Sequence, residues 1–253
     1  MIPAMTRSEI TLSTPDGKMP VSLFRPGEGE GPWPAVILYM DGLGLRPALH
    51  DMGERIAGAG YLVLLPDLFY RSGPTDPESG RRMLFGGEED RREWFQKHIA
   101  PLTVTRAMGD TAALLDFIDT QADVIPPKVG TTGYCMGGRF SLAAAGTFPS
   151  RIAAAASYHG SRLVTDDPDS PHRLAPQMKA RVYVGGATED AGFTDAMKEQ
   201  LEAALTEAGV EHAVETYAAR HGWVPADTPV HDAGAAERHW RTLLALLDGA
   251  LRG

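Results

Sequence analysis

The heptapeptide Gly133-Tyr134-Cys135-Met136-Gly137-Gly138-Arg139 places the chain's single cysteine where it could do chemistry. It follows a short β-branched run and opens an Ala-rich stretch, which predicts a strand turning sharply into a helix with Cys135 at the apex. Glycines two residues before and two after relieve the crowding of such a turn, and the following helix directs its amide-rich N-terminus at the sulfur. A thiolate there is a strong nucleophile toward a carbonyl carbon. The competing reading is a buried cysteine among glycines that serve only close packing; spacing, strand and helix together favour the nucleophile. Two other groups could serve it. His221, followed by Gly222 just beyond the last predicted strand, can hang an imidazole over the sulfur as a general base. Glu189 and Asp190 follow the strand Arg181–Val184, and one of these neighbouring carboxylates could orient that imidazole.

The elements that must position these groups read as an alternation of strands and helices. Pro15-Asp16-Gly17 between two β-like runs predicts an edge hairpin. Ala35–Met40 and Tyr61–Leu65 are near-continuous apolar runs of the kind buried on both sheet faces, with a helix over Pro47–Gly58 between them. Helices are also expected over Val104–Asp119, Thr194–Ala208 and Ala233–Leu251, and strands over Ile152–Tyr158 and Ala213–Tyr217. Such alternation implies a mostly parallel sheet with right-handed crossovers. Ligands of open α/β sheets sit at the C-terminal ends of strands, which marks Asp41, Gly42 and His159 by position. Asp41 could instead only cap the following turn. The irregular stretch 71–101 is expected to roof a pocket, with Arg81 as a candidate substrate contact, while Arg91 and Arg92 beside Glu88, Glu89 and Asp90 read as a solvated face.

The Gly-x-Cys-x-Gly turn, Pro66-Asp67-Leu68 after a strand, and His221-Gly222-Trp223 near the end together resemble the dienelactone hydrolase family over most of the chain. The resemblance implies an α/β-hydrolase fold: a mostly parallel central sheet with helices on both faces and no large cap domain. It also implies hydrolysis of a small ester or lactone by a Cys-His-Asp triad. On that basis Cys135 is the nucleophile, His221 the base, and Asp190 rather than Glu189 the acid. The N–H groups of Met136 and Gly42 form the oxyanion hole. The family places a carboxylate, usually Glu, beside the nucleophile; here that residue is Asp41, expected to modulate the thiol. Tyr134, Arg81, His159 and Trp223 are expected to contact substrate. The fold's nucleophile-acid-base order makes His159 pocket wall rather than base. Trp223-Val224-Pro225 fills the stretch where the family carries a carboxylate-binding arginine. A non-catalytic binding protein on the same scaffold, or a peptidase or thioesterase using the same site, are the alternatives.

Composition narrows the classes further. At 253 residues with 43% hydrophobic content, one domain spanning 1–253 is the expectation. The formal charge of -9 and the lack of a basic block interleaved with aromatics argue against a nucleic-acid partner. No apolar run approaches the ~18 residues that cross a bilayer, and a single cysteine allows no internal disulfide, so a cytoplasmic protein free of membrane is expected. No metal-ligand spacing or phosphate-binding loop occurs, so neither metal nor other cofactor is expected, only a small-molecule substrate. Oligomeric state leaves no signature in the sequence.

Overall fold

The computed structural model describes residues 6–27, 31–73, 75, 80, 82–83 and 86–253. Among them an eight-stranded sheet runs in the order β1-β2-β4-β3-β5-β6-β7-β8. Its strands are β1 Thr6–Thr14, β2 Gly17–Arg25, β3 Trp33–Tyr39, β4 Leu62–Pro66, β5 Val124–Tyr134, β6 Ile152–Tyr158, β7 Arg181–Ala187 and β8 His212–Tyr217. The hairpin β1–β2 is antiparallel and joins the edge of β4; from β4 to β8 every pairing is parallel. Apolar β4 is buried throughout, and so is β3 beyond Trp33, as both faces of the sheet are covered. Each Leu, Ile or Val so buried contributes roughly 1.5–3 kcal/mol.

Seven helices are described: α1 Pro47–Gly58, α2 Glu88–Trp94, α3 Val104–Asp119, α4 Met136–Thr147, α5 Pro171–Leu174, α6 Asp195–Glu207 and α7 Ala233–Leu251. Helices α1 and α7 meet through a bidentate Arg55–Glu237 pair. They cover one face of the sheet, while α3, α4 and α6 cover the other. The N-termini of α3, α6 and α7 are capped by side-chain oxygens of Thr103, Thr194 and Asp232. This is the α/β-hydrolase fold.

Two local features depart from the expectations. Pro126 and Pro127, read as preceding the central strand, lie inside β5. They are tolerated because the pairing with β3 shifts register between Trp33–Val124 and Ala35–Val129, so no regular ladder bond is lost there. In the irregular stretch, α2 runs directly into a π-helical turn, Phe95–Ile99, which folds back over the strand ends.

Candidate active site

The sheet order reverses between β3 and β5, and the crevice at their C-terminal ends is where such folds bind ligands. Cys135 stands there, between β5 and α4, with φ 54° and ψ -117°, a conformation L-residues rarely adopt. A side chain at Gly133 would strike the carbonyl of Gly137, and one at Gly137 would strike the carbonyls of Tyr39 and Met40. The two flanking glycines are therefore required by close backbone approach, not by their own dihedral angles. The elbow is held by Cys135 N–H donating to Tyr158 O (3.1 Å) and Ser161 N–H donating to Cys135 O (3.2 Å).

His221 follows β8 and pairs through Nδ1 with Asp190 Oδ2 at 2.7 Å, and Cys135 acts electrostatically on the same ring. Asp190 is steadied by the Gly192 N–H on its other oxygen, at 2.8 Å. Glu189, by contrast, is exposed. Burial alone would push the His221 imidazole down, but the hydrogen bond to Asp190 and the negative charge of Asp190 and Cys135 outweigh it and lift the pKa to about 10. Burial likewise raises the carboxyl of Asp190, yet the bond and charge of His221 hold it below the ordinary range. The loop carrying Asp190 is supported by buried Lys198, which donates to Ala187 O, Thr216 Oγ1 and Asp195 Oδ1.

Gly42 and Met136 line the cleft beside Cys135. Their N–H groups donate no hydrogen bond within the described residues, whereas the Gly42 carbonyl is fixed by the indole N–H of Trp94 at 2.8 Å. The cleft has a volume of about 570 Å³, within the range of small-molecule sites. Met83, Phe95 and Ile99 supply an apolar wall, and Arg139 and Arg162 a charged one. The two arginines are linked to Asp167 at 3.3 Å each, and Arg139 also to Asp169 at 3.5 Å. Among the described residues no three His, Cys, Asp or Glu side chains group so as to hold a metal ion.

Several expected contacts are placed elsewhere. Tyr134 is wholly buried, its hydroxyl on His239 Nε2 at 2.8 Å and its ring stacked on Tyr158, because alternation along β5 turns it into the sheet's covered face. Trp223 is also wholly buried, stacked on Tyr217. His159 is 1% exposed, its ring edge-on between His221 (5.1 Å) and Trp223 (4.9 Å). Burial and its positively charged neighbours hold it well below the usual histidine range. These three form a buried layer behind His221. Arg81 lies outside the described residues. Asp41 is buried beside the elbow, but both its oxygens are taken by Arg46, at 2.7 and 2.8 Å, instead of being left for the thiol. The sequence reading missed Arg46, Arg139, Arg162 and Trp94. Of these Arg139, inside the elbow motif, and Trp94, in the stretch expected to roof the pocket, had a signal in their position; Arg46 and Arg162 reach the crevice from segments with no motif.

The model of the dienelactone hydrolase family matches residues 19–251. The chain belongs to that family. Among curated proteins, the "Putative carboxymethylenebutenolidase" of Synechocystis sp. is 26% identical over 226 residues, covering 88% of each chain. A protein of the same description from Methylorubrum extorquens is 26% identical over 242 residues, 93% of this chain and 78% of its own. Among solved structures, "Putative Dienelactone Hydrolase" from Klebsiella pneumoniae superposes with a TM-score of 0.83 at 22% identity, covering 96% of this chain and 98% of its own. A dienelactone hydrolase-like promiscuous phosphotriesterase from metagenomic libraries gives 0.73 at 23% identity, covering 98% and 99%. The structural likenesses establish the fold, and family membership makes the chain a carboxylic ester or lactone hydrolase acting on a small molecule. No helix among the described residues is long and apolar enough to cross a membrane.

Proposed function

We propose that this hydrolase cleaves a small ester or lactone through a thioester on Cys135, with His221 as acid-base and Asp190 as its orienting carboxylate. The observation that carries this reading is the Asp190–His221 pair, Nδ1–Oδ2 at 2.7 Å, on an imidazole whose pKa is also raised by Cys135 at the elbow. The sulfur, its proton on His221, attacks the carbonyl carbon and a C–S bond forms while the carbonyl π pair moves onto oxygen. The N–H groups of Gly42 and Met136 receive that oxyanion. As the tetrahedral intermediate collapses, His221 gives its proton to the departing alkoxide and the C–O bond breaks. Water then attacks the thioester, His221 takes its proton, and the thiolate leaves with the carboxylic acid released. A lactone opens by the same steps with its alcohol retained on the acyl group.

The mixed apolar and charged cleft suits a compact acyl group with a polar substituent, and a single cytoplasmic domain using neither metal nor nucleic acid supplies all of the machinery. A panel of dienelactones and short p-nitrophenyl esters tests the reading. Hydrolysis by the wild type that disappears in Cys135→Ala supports it; equal rates in the two proteins, or no hydrolysis of any member, would refute it.

A further inference from the structure

Arg46 lies just before α1, outside every motif, and is 9% exposed. All five of its guanidinium N–H groups are spent. Nη1 donates to Asp41 Oδ1 at 2.7 Å and to Gly44 O at 3.2 Å; Nη2 donates to Asp41 Oδ2 at 2.8 Å and Asp227 Oδ1 at 3.2 Å; Nε donates to Asp227 Oδ2 at 2.6 Å. One planar fork thus grips two carboxylates and a carbonyl from two loops 181 residues apart along the chain.

The two loops are those that carry the groups flanking the sulfur. Asp41 directly precedes Gly42, and its Oδ1 also accepts the Leu43 N–H at 2.9 Å, so the carboxylate shapes the turn that presents the oxyanion donor. Asp227 lies in the loop opened by His221. That loop is closed on itself by Thr228 Oγ1 donating to Gly222 O at 2.8 Å and by Asp232 N–H donating to Trp223 O at 3.1 Å. In the sheet, β3 and β8 are separated by β5, β6 and β7, so no strand ladder fixes the oxyanion turn against the histidine loop.

We infer that Arg46 is a positioning residue that rivets the oxyanion turn at Gly42 to the loop bearing His221, holding donor and base in mutual register around Cys135. The inference rests on the mechanism proposed above. It also explains why a buried aspartate stands beside a nucleophile: its charge is committed to the rivet. A planar fork is needed because a lysine's point charge cannot bond both carboxylates in fixed directions.

The test measures kcat and KM for a p-nitrophenyl ester on folded protein, with the wild type and Cys135→Ala as references. Arg46→Met leaves a buried carboxylate unpaired and can fail to fold, so Arg46→Met/Asp41→Asn and Asp227→Asn are made beside it. Misplacement of reacting groups by about 1 Å costs on the order of 100-fold. The expected result is a fall in kcat of that order for the double variant and of roughly tenfold for Asp227→Asn and Arg46→Lys, with KM changed less than about threefold. Wild-type kcat in Arg46→Lys, in Asp227→Asn or in the folded double variant would overturn the inference, as would a raised KM at unchanged kcat, which would make Arg46 a substrate contact. If Cys135→Ala matches the wild type, the triad has failed instead, and the two failures are told apart.

Discussion

Replacing Asp190 by Asn probes the proposed orienting role of this carboxylate while keeping its shape. In the native protein its Oδ2 accepts from His221 Nδ1 at 2.7 Å, and together with Cys135 it lifts the imidazole to about 10. With that charge gone, burial, which lowers the imidazole, is opposed mainly by Cys135, and His221 falls toward the ordinary value of about 6.5. At pH 7.5 the protonated fraction then drops from nearly all to about one-tenth, which alone costs roughly tenfold in the step that protonates the leaving alkoxide. A second effect compounds it. The new amide donates to Nδ1 and forces the ring proton onto Nε2, so the imidazole presents a donor where a base is required; a wrong tautomer in a serine triad costs about 10⁴-fold. The expected loss in kcat/KM therefore lies between about tenfold and about 10⁴-fold, the lower bound set by charge and the upper by tautomer. The assay pairs an NMR titration of His221 with ester hydrolysis, and Glu189→Gln, altering an exposed side chain, serves as the control. An unmoved His221 titration with unchanged turnover, or greater damage from Glu189→Gln, would refute the reasoning.

Cys135→Ala should lose at least ~1,000-fold in kcat, and stoichiometric alkylation of the wild type by iodoacetamide should abolish turnover with it, both followed by ester hydrolysis and mass spectrometry. Gly137→Ala places a methyl against the Tyr39 and Met40 carbonyls, so a loss of about 1–3 kcal/mol or more is expected in urea unfolding, with kcat falling as the elbow shifts. Asp41→Asn takes one charge from the buried cluster around Arg46, which keeps Asp227; the expected cost is about 1–3 kcal/mol in stability with little change in the pH profile of Cys135 alkylation. The raised pKa of His221 makes its pairing a stabilising contribution that is complete below about 6.5 and lost as pH rises through about 10. His221→Gln should accordingly show its largest stability deficit at neutral and mildly acidic pH and a shrinking one above 10, read from unfolding at a series of pH values.

The layout of the fold was legible because it is written in local patterns. Apolar runs such as Ala35–Met40 and Tyr61–Leu65 can only be doubly covered strands, and the glycines around Cys135 mark a backbone that tolerates no Cβ. His221 and Asp190 could be located because each follows a strand end, and geometry then joins Asp190, not Glu189, to the histidine. What the sequence hid was the direction of side chains at strand ends. Tyr134, His159 and Trp223 adjoin the right residues in sequence yet pack behind them: Tyr134 because neighbours along a strand alternate between faces, His159 and Trp223 because the loops after β6 and β8 turn them into the ring cluster under His221. Long-range ion pairs were hidden for a different reason: Arg46 with Asp227, or Arg139 with Asp167, has no periodicity or spacing to betray it. Asp41 shows the consequence. Its position beside Cys135 was readable, while its partner, which decides what its charge does, was not.

Mixing the protein with a short p-nitrophenyl ester, quenching in acid within the first turnover and mapping the adduct by peptide mass spectrometry tests the central claim most directly. The account predicts one acyl group on the peptide containing Cys135, formed with a stoichiometric burst of p-nitrophenol and absent from Cys135→Ala. Rapid hydrolysis with no adduct at any time, or with the acyl group on another side chain such as Ser161, would contradict it.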